Sequence, residues 1–483
     1  MRYNFGRALG ITLAILVLAG IFSLLTIAAN KVYGPPVIEK PDVLVSLERW
    51  EGREFDQLLV DALTWPMPDE METIPPVDPD APPPASTRLY NNQLENLLSS
   101  LHYFYRLSGD DSPSEYVIGW DPEDGGRVVT TATLFSIETN ISYLLTLEMY
   151  RKMHAKAVFD EDLEYARKVV DDLFAMTWRT ALEWPLGPYF DLVALYDLTG
   201  NEKYLEYSRR YGGGDGINDY NTPLTKARTL AVAYQRNRPG NASPFYFLHA
   251  ALLADWGKRY DPSMVDQART VFRGLRRDLL DTRYNLFWKQ SSTAGDGSGA
   301  KTVIQTFDSL EQLTAVRAIL LYAKSSSDPE GLALGKAVME GIWDEDSPLQ
   351  YKPPADLPQS AFWGIYTAYD MQREAERLDT GERTIIHVLL LEDMVLLNEL
   401  TRGEYRGEVD FLSQWMEDSG PLYDQQLNGF YTLYKGQYEP VEGSNLDSKS
   451  AIWMARALVQ DEWYRYRSVR DLTEIAPEEV QVE

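Results

Sequence analysis

The chain has 483 residues, and its 46 Lys and Arg stand against 73 Asp and Glu for a formal charge of −27. Such a field repels phosphate backbones and excludes nucleic acid as a partner. With 44% hydrophobic and 25% charged residues the composition is that of a folded chain, neither disordered nor a polytopic membrane protein. Zero cysteines and four histidines remove thiol catalysis, disulfides, iron–sulfur clusters and thiolate zinc sites, and leave no basis for a His-rich metal site. The length exceeds one ordinary core of about 100–200 residues, so either several domains or one large closed architecture is expected.

Residues 1–30 read as an N-terminal transmembrane anchor. Ala8 to Ala29 runs 22 residues without a charge, about 33 Å of helix at about 1.5 Å per residue, which spans a bilayer. Arg2 and Arg7 precede it and acidic residues follow Lys31, so the positive-inside rule places the N-terminus in the cytoplasm and the rest in the periplasm or outside the cell. A long signal sequence is the alternative. The apolar run exceeds a secretory core of about 7–15 residues, and there is no cysteine to acylate.

Residues 31–65 form a juxtamembrane segment in which Val43 to Trp65 suits a short amphipathic helix. Residues 66–86 are a linker: eight prolines between Pro66 and Pro84 favour extended polyproline backbone and a semi-rigid spacer. Residues 87–463 then carry helix after helix, and 464–483 read as an acidic tail. Leu89–Leu107, Leu134–Met153, Leu163–Trp178, Phe245–Lys258, Met264–Leu280, Leu310–Ala323 and Ile385–Leu400 all place apolar residues at i, i+3, i+4 and i+7. About twelve to fourteen such segments are expected, with short strands such as Glu115–Trp120 and Gly429–Tyr434 in the loops.

A repeat runs through this body. Asp281 to Lys289 (DTRYNLFWK), a variable loop and the helix opening at Asp308-Ser309 match Asp424 to Tyr431 (DQQLNGFY), a loop and the helix opening at Asp447-Ser448. A looser copy is Gly119-Trp120-Asp121 followed by the helix through Ser136. Such units cannot bury their helix faces alone, so they stack or close into a ring. The loops rich in Gly, Asp and Trp, together with the phrase Ala194 to Leu205 (ALYDLTGNEKYL), resemble the joints of six-hairpin glycosidase-like (α/α) toroids from about Leu89 to Gln460. The resemblance implies an all-α (α/α)6 or (α/α)7 double ring with small β hairpins, and a substrate funnel where loops enter the inner helices. It assigns no residue a role, because no single family's catalytic signature is present.

Glycoside hydrolysis requires two carboxyl groups, one protonated and one ionised. The candidates are Asp121, Asp124, Asp308 and Glu311, close to predicted inner-helix starts. Asp308 and Asp447 equally suit helix caps, and Ser309 to Gln312 matches a capping box. Trp120, Trp184, Trp288, Trp363, Tyr431 and Tyr434 lie beside the same loops and are candidate sugar platforms. No cofactor is expected; the loop with Asp215 and Asp219 is where clustered oxygens would suit Ca2+. His249 and His387, on apolar helices, suit either buried structural histidines or the acid–base pair of a sugar isomerase. Three readings follow: an anchored carbohydrate-active enzyme acting on envelope or exported polysaccharide, a non-catalytic toroid that binds glycan or scaffolds a membrane complex, and a sugar epimerase, isomerase or lyase.

Overall fold

The computed structural model describes residues 91–104, 115–120, 127–131, 134–154, 159–175, 187–213, 222–236, 240–293, 301–351, 362, 364–377, 383–418, 423–424, 429–430, 434–435, 439–440 and 446–475. Thirteen α-helices lie in these residues: α1 (Asn91–Phe104), α2 (Leu134–His154), α3 (Asp160–Ala175), α4 (Gly187–Thr199), α5 (Glu202–Gly212), α6 (Pro223–Gln235), α7 (Phe247–Arg259), α8 (Met264–Leu279), α9 (Ser309–Ser326), α10 (Pro329–Trp343), α11 (Arg383–Leu400), α12 (Arg406–Asp418) and α13 (Ser448–Ile475). The amphipathic segment at 43–65, the bilayer-length run and the proline-rich linker fall outside the described residues. Among the described residues no helix is long and apolar enough to cross a membrane.

The helices pair as hairpins α2–α3, α4–α5, α7–α8, α9–α10 and α11–α12, and α13 pairs with α1 from the other end of the chain. The first-named helices form an inner ring in which α2 touches α4, α7 touches α9, α9 touches α11, α11 touches α13 and α13 returns to α2. Tyr189 of α4 donates to Asp255 of α7 at 2.8 Å and joins the remaining neighbours. The body is therefore an (α/α) toroid with six inner helices among the described residues, and α6 is an insertion packed on α7 and α8.

Burial separates the two layers. Helix α7 is buried without interruption from Ala250 to Gly257, as a helix enclosed on all sides must be. Outer helix α8 instead buries a single stripe, including Met264, Ala268, Val271, Phe272, Leu275 and Leu279. Starts and stops follow local chemistry. Thr222 caps α6 ahead of Pro223, Asp328 caps α10 ahead of Pro329, and Gly213 closes α5 at φ 95°.

The repeat becomes a concrete unit, a six-residue hairpin that precedes an inner helix. Asp281 pairs with Leu286 before α9, and Asp424 pairs with Gly429 before α13. A third copy, which the sequence pattern does not reveal, pairs Asp370 with Ala375 before α11. In the copies at 281 and 370 the aspartate Oδ1 accepts the backbone N–H groups two and three residues on, from Arg283 and Tyr284 and from Gln372 and Arg373. Asn285 and Glu374 occupy equivalent left-handed positions at φ 55° and 48°. Asparagine tolerates that conformation more readily than glutamate; the third copy keeps the leading aspartate but has Glu374 where the others have Asn285 and Asn428. Residues 446–447 pair with Gly119 and Trp120 of the strand Glu115–Trp120, tying the two ends of the body together.

Candidate functional site

The inner helices converge on a cavity of about 350 Å3, lined from their N-terminal portions. Helix α2 contributes Glu138, α4 contributes Phe190 and Asp191, and the 3-10 turn Pro244–Tyr246 with α7 contributes Phe245 and Leu248. Helix α9 contributes Leu310, Thr314 and Arg317; α11 contributes Leu389; α13 contributes Lys449, Trp453 and Arg456. Every inner helix thus has a side chain in one funnel.

Charged groups from different inner helices pair across the ring, in the cavity wall and beneath it. At the wall Lys449 Nζ donates to Glu138 Oε2 at 3.0 Å and lies 4.3 Å from the centre of the Trp453 ring. Gly187 leaves space for this pair, since a Cβ there would stand 2.6 Å from Glu138 Oε1. Deeper, Arg456 donates to Asp191 at 2.7 Å and to the Ser142 hydroxyl at 2.8 Å, and Ser142 donates to Asp191 at 2.6 Å. Arg456 also grips Glu392, whose other oxygen holds Arg317. Side chains from α2, α4, α9, α11 and α13 therefore share one buried network.

Electrostatics inside that network split two adjacent carboxyls. Burial alone would raise Glu392, but Arg317 and Arg456 overcome it and hold the group below its ordinary value. Asp393, fully buried with neither oxygen hydrogen-bonded, is pushed well above its ordinary value, chiefly by burial and also by the Glu392 charge, against the pull of Arg317 and Arg456. One ion is solvated by two guanidinium groups; burial disfavours the ionised form of its neighbour.

A second cluster stands at the start of α9. Asp308 is the N-cap and accepts the Glu311 N–H, so the capping box begins one residue earlier than Ser309. Ser309 instead donates to the Tyr366 carbonyl, and Gln312 clamps the backbone N–H and carbonyl of Phe287. Lys289 Nζ lies 2.9 Å from Asp308 and 3.8 Å from Glu311. Burial first, then the Asp308 charge, push Glu311 up to about 7 against Lys289 and Ser243, and its Oε2 has no hydrogen-bond partner.

Of the other sequence candidates, Trp288 is half-buried and stacks on Phe307 at 4.6 Å, so one ring face is occupied by the core. Trp120 and Tyr434 lie in the strands Glu115–Trp120 and Tyr434–Lys435. Asp121, Asp124, Trp184, Trp363, Tyr431, Asp215 and Asp219 lie outside the described residues. His387 accepts the Ile365 N–H through Nε2 at 3.0 Å, a structural role. Burial lowers His249 to about 4, and it does not line the cavity. Among the described residues no group of three or more His, Asp or Glu is placed to hold a metal ion.

Sequence reasoning did not single out Glu138, Asp191, Arg317, Glu392, Lys449, Trp453 or Arg456. The available signal was a charged side chain inside an otherwise apolar helix, as in Val388 to Leu397 (VLLLEDMVLL) and Tyr189 to Leu195 (YFDLVAL).

No protein-family model matches the chain, and no curated protein is similar to it in sequence. Solved structures do match. An unsaturated glucuronyl hydrolase specific for heparin aligns over 78% of this chain and 97% of its own, with a TM-score of 0.51 and 11% identity. An inactive variant of the α-1,6-mannanase from Salegentibacter sp. HEL1_6, in complex with α-1,6-mannotetrose, aligns over 78% and 99% with a TM-score of 0.52 and 11% identity. An α-mannanase from Bacteroides thetaiotaomicron aligns over 80% and 97% with a TM-score of 0.50 and 12% identity. This chain has the six-hairpin glycosidase-like toroid fold. At such identities the likeness concerns architecture, and a chemical role has to be argued from the side chains themselves.

Proposed function

We propose that the protein binds carbohydrate chains in the funnel of its toroid, and that residues 8–29 hold it at a membrane with the toroid on the outer side. The observation that carries this is the cavity itself: about 350 Å3 at the convergence of all six inner helices, with Phe190, Phe245 and Trp453 among its lining residues. Aromatic rings carry the apolar faces of sugars, and a few fixed polar groups at a cavity wall orient them. The structural neighbours named for action on glycans lend this reading support through their shared architecture. Titration of the full-length protein in detergent with a panel of oligosaccharides, followed by tryptophan fluorescence and calorimetry, tests it. Saturable binding that Trp453→Ala weakens at least tenfold is expected; a panel with no binder removes the reading.

One observation favours hydrolysis in addition. Glu311, which follows the lining residue Leu310 but is not itself among the lining residues, is pushed up to about 7, the range a general acid requires near neutral pH. Its partner would be an ionised carboxylate, for which Asp121 and Asp124 are the candidates from sequence. In that case Glu311→Gln lowers glycan release by roughly 10²–10⁴ while binding persists. Release unchanged in Glu311→Gln excludes it as the acid. Anchorage is tested separately: a protein beginning at Thr87 should leave the membrane fraction with its helical signal intact, and retention in the membrane would refute the role of residues 8–29.

A further inference from the structure

We infer that the funnel selects uncharged sugars and rejects uronate or sulfated ones, an inference that rests on the carbohydrate reading and specifies its ligand class. The balance of charges carries it. The cationic groups among the described lining residues are Arg317, Lys449 and Arg456. Each already has a carboxylate: Lys449 has Glu138 at 3.0 Å, Arg456 has Asp191 at 2.7 Å, and Arg317 and Arg456 share Glu392. Three cations meet three carboxylates, and burial disfavours the ionised form of Asp393 next to Glu392. A ligand carboxylate or sulfate entering this space would lose its hydration, find each of these guanidinium and ammonium groups engaged, and approach Glu138 and Asp191, which line the same cavity. The chain's formal charge of −27 adds a long-range penalty of the same sign.

A neutral sugar meets the opposite situation. Its hydroxyls can donate to carboxylate oxygens and accept from ammonium and guanidinium groups without displacing a salt bridge. Among the lining residues Trp453 is only 7% exposed, and its buried indole Nε1–H has no acceptor. A buried donor left unpaired is costly, and donating to a ligand oxygen would relieve that cost. Leu248, Leu310 and Leu389 complete the wall with apolar surface suited to the C–H face of a sugar ring.

The Glu138–Lys449 pair makes the selectivity testable, because removing its anion alone frees a cation at the cavity wall. The full-length protein in detergent is titrated by calorimetry, at low and at physiological salt, with neutral manno-, gluco- and xylo-oligosaccharides and with mannuronate, galacturonate and sulfated oligosaccharides of the same lengths. Expected are neutral binders at least tenfold tighter than their acidic counterparts, with affinities insensitive to salt. Glu138→Gln should raise affinity for acidic oligosaccharides at least tenfold, and salt should erase the gain. Trp453→Phe keeps the ring, loses the N–H, and should weaken neutral binding about three- to tenfold; circular dichroism verifies that both variants fold. Acidic oligosaccharides that bind the unmodified protein as tightly as neutral ones, and lose affinity in Lys449→Gln, overturn the neutral-ligand inference and leave the carbohydrate reading standing. If neither class binds, the carbohydrate reading falls and takes the inference with it.

Discussion

Arg456 and Asp191 meet in the centre of the inner ring at 2.7 Å, although 265 positions separate them in the chain. Because Arg456 also holds Glu392 and Ser142, one guanidinium on α13 joins α2, α4 and α11. A buried pair of this kind gains little over well-packed apolar residues, yet losing one partner strands a desolvated ion. Arg456→Ala is therefore expected to destabilise the body by about 3–5 kcal/mol in urea unfolding. Adding Asp191→Asn removes one stranded charge and should recover part of that loss, since Arg317 still holds Glu392. Additive losses in the double variant would show that the two residues do not act as a pair.

Glu311 predicts a pH dependence. Its pKa rises from an ordinary 4.5 to about 7 in the folded protein. Between those values the folded state holds a proton that the unfolded state has released, so stability falls as pH rises through the window and the cost is complete above it. At about 1.36 kcal/mol per unit the full penalty is on the order of 3 kcal/mol. Glu311→Gln removes it, and the variant should be more stable than the parent at pH 8 and nearly equal to it at pH 4. Asp308 behaves differently because it caps α9. Asp308→Asn should keep most of the stability, whereas Asp308→Ala costs about 0.5–2 kcal/mol. Thermal midpoints across the pH range separate these outcomes, and identical pH slopes for parent and Glu311→Gln would refute the assignment.

Gly364 is at φ 94°, and a Cβ there would lie 2.5 Å from His387 Nε2, the atom that accepts the Ile365 N–H. Backbone strain and a displaced buried imidazole act together at this point. Gly364→Ala should lower stability by about 2 kcal/mol or more. Gly200 is the control, also at positive φ but with no atom within 4 Å of the place a Cβ would take. Gly200→Ala meets the backbone strain alone and should cost about 1–2 kcal/mol. Equal losses at the two sites would argue that the His387 contact is immaterial.

The helical body was legible from the chain because its signal is local. Apolar periodicity located α8, α9 and α11 to within a few residues, and the Asp-led repeat located hairpins that precede inner helices. The funnel was not legible, because its chemistry is made by pairs such as Arg456–Asp191 and Lys449–Glu138 whose members are hundreds of positions apart. The aromatic candidates favoured loop residues near the rim. Trp453 sits inside a helix one turn after Lys449 and reads as core, until the ring brings that pair beside Glu138. Asp308 and Glu311 illustrate the intermediate case: the sequence placed both at the start of α9, but only burial and the Asp308 charge distinguish a cap from an acid with a raised pKa.

Ring closure supplies the last prediction. Helix α13 fills the place between α11 and α2, packs on α1, and contributes Lys449, Trp453 and Arg456 to the funnel. The strand residues just before it, Leu446 and Asp447, pair with Trp120 and Gly119. Removing residues 445–483 would expose the facing sides of α2, α11 and α1 and strand Asp191 without Arg456. In an open solenoid, loss of a terminal unit subtracts one nearest-neighbour interface and leaves the remaining units folded. In a closed ring it opens two interfaces at once and removes the polar network that crosses the centre. The truncated protein should therefore lose most of its cooperative thermal transition and exchange amide protons rapidly in α2 and α11, well away from the cut. Retention of a sharp transition at the parent midpoint, with protection lost only in α1, would show that the remaining hairpins form a stable open stack and that closure contributes little.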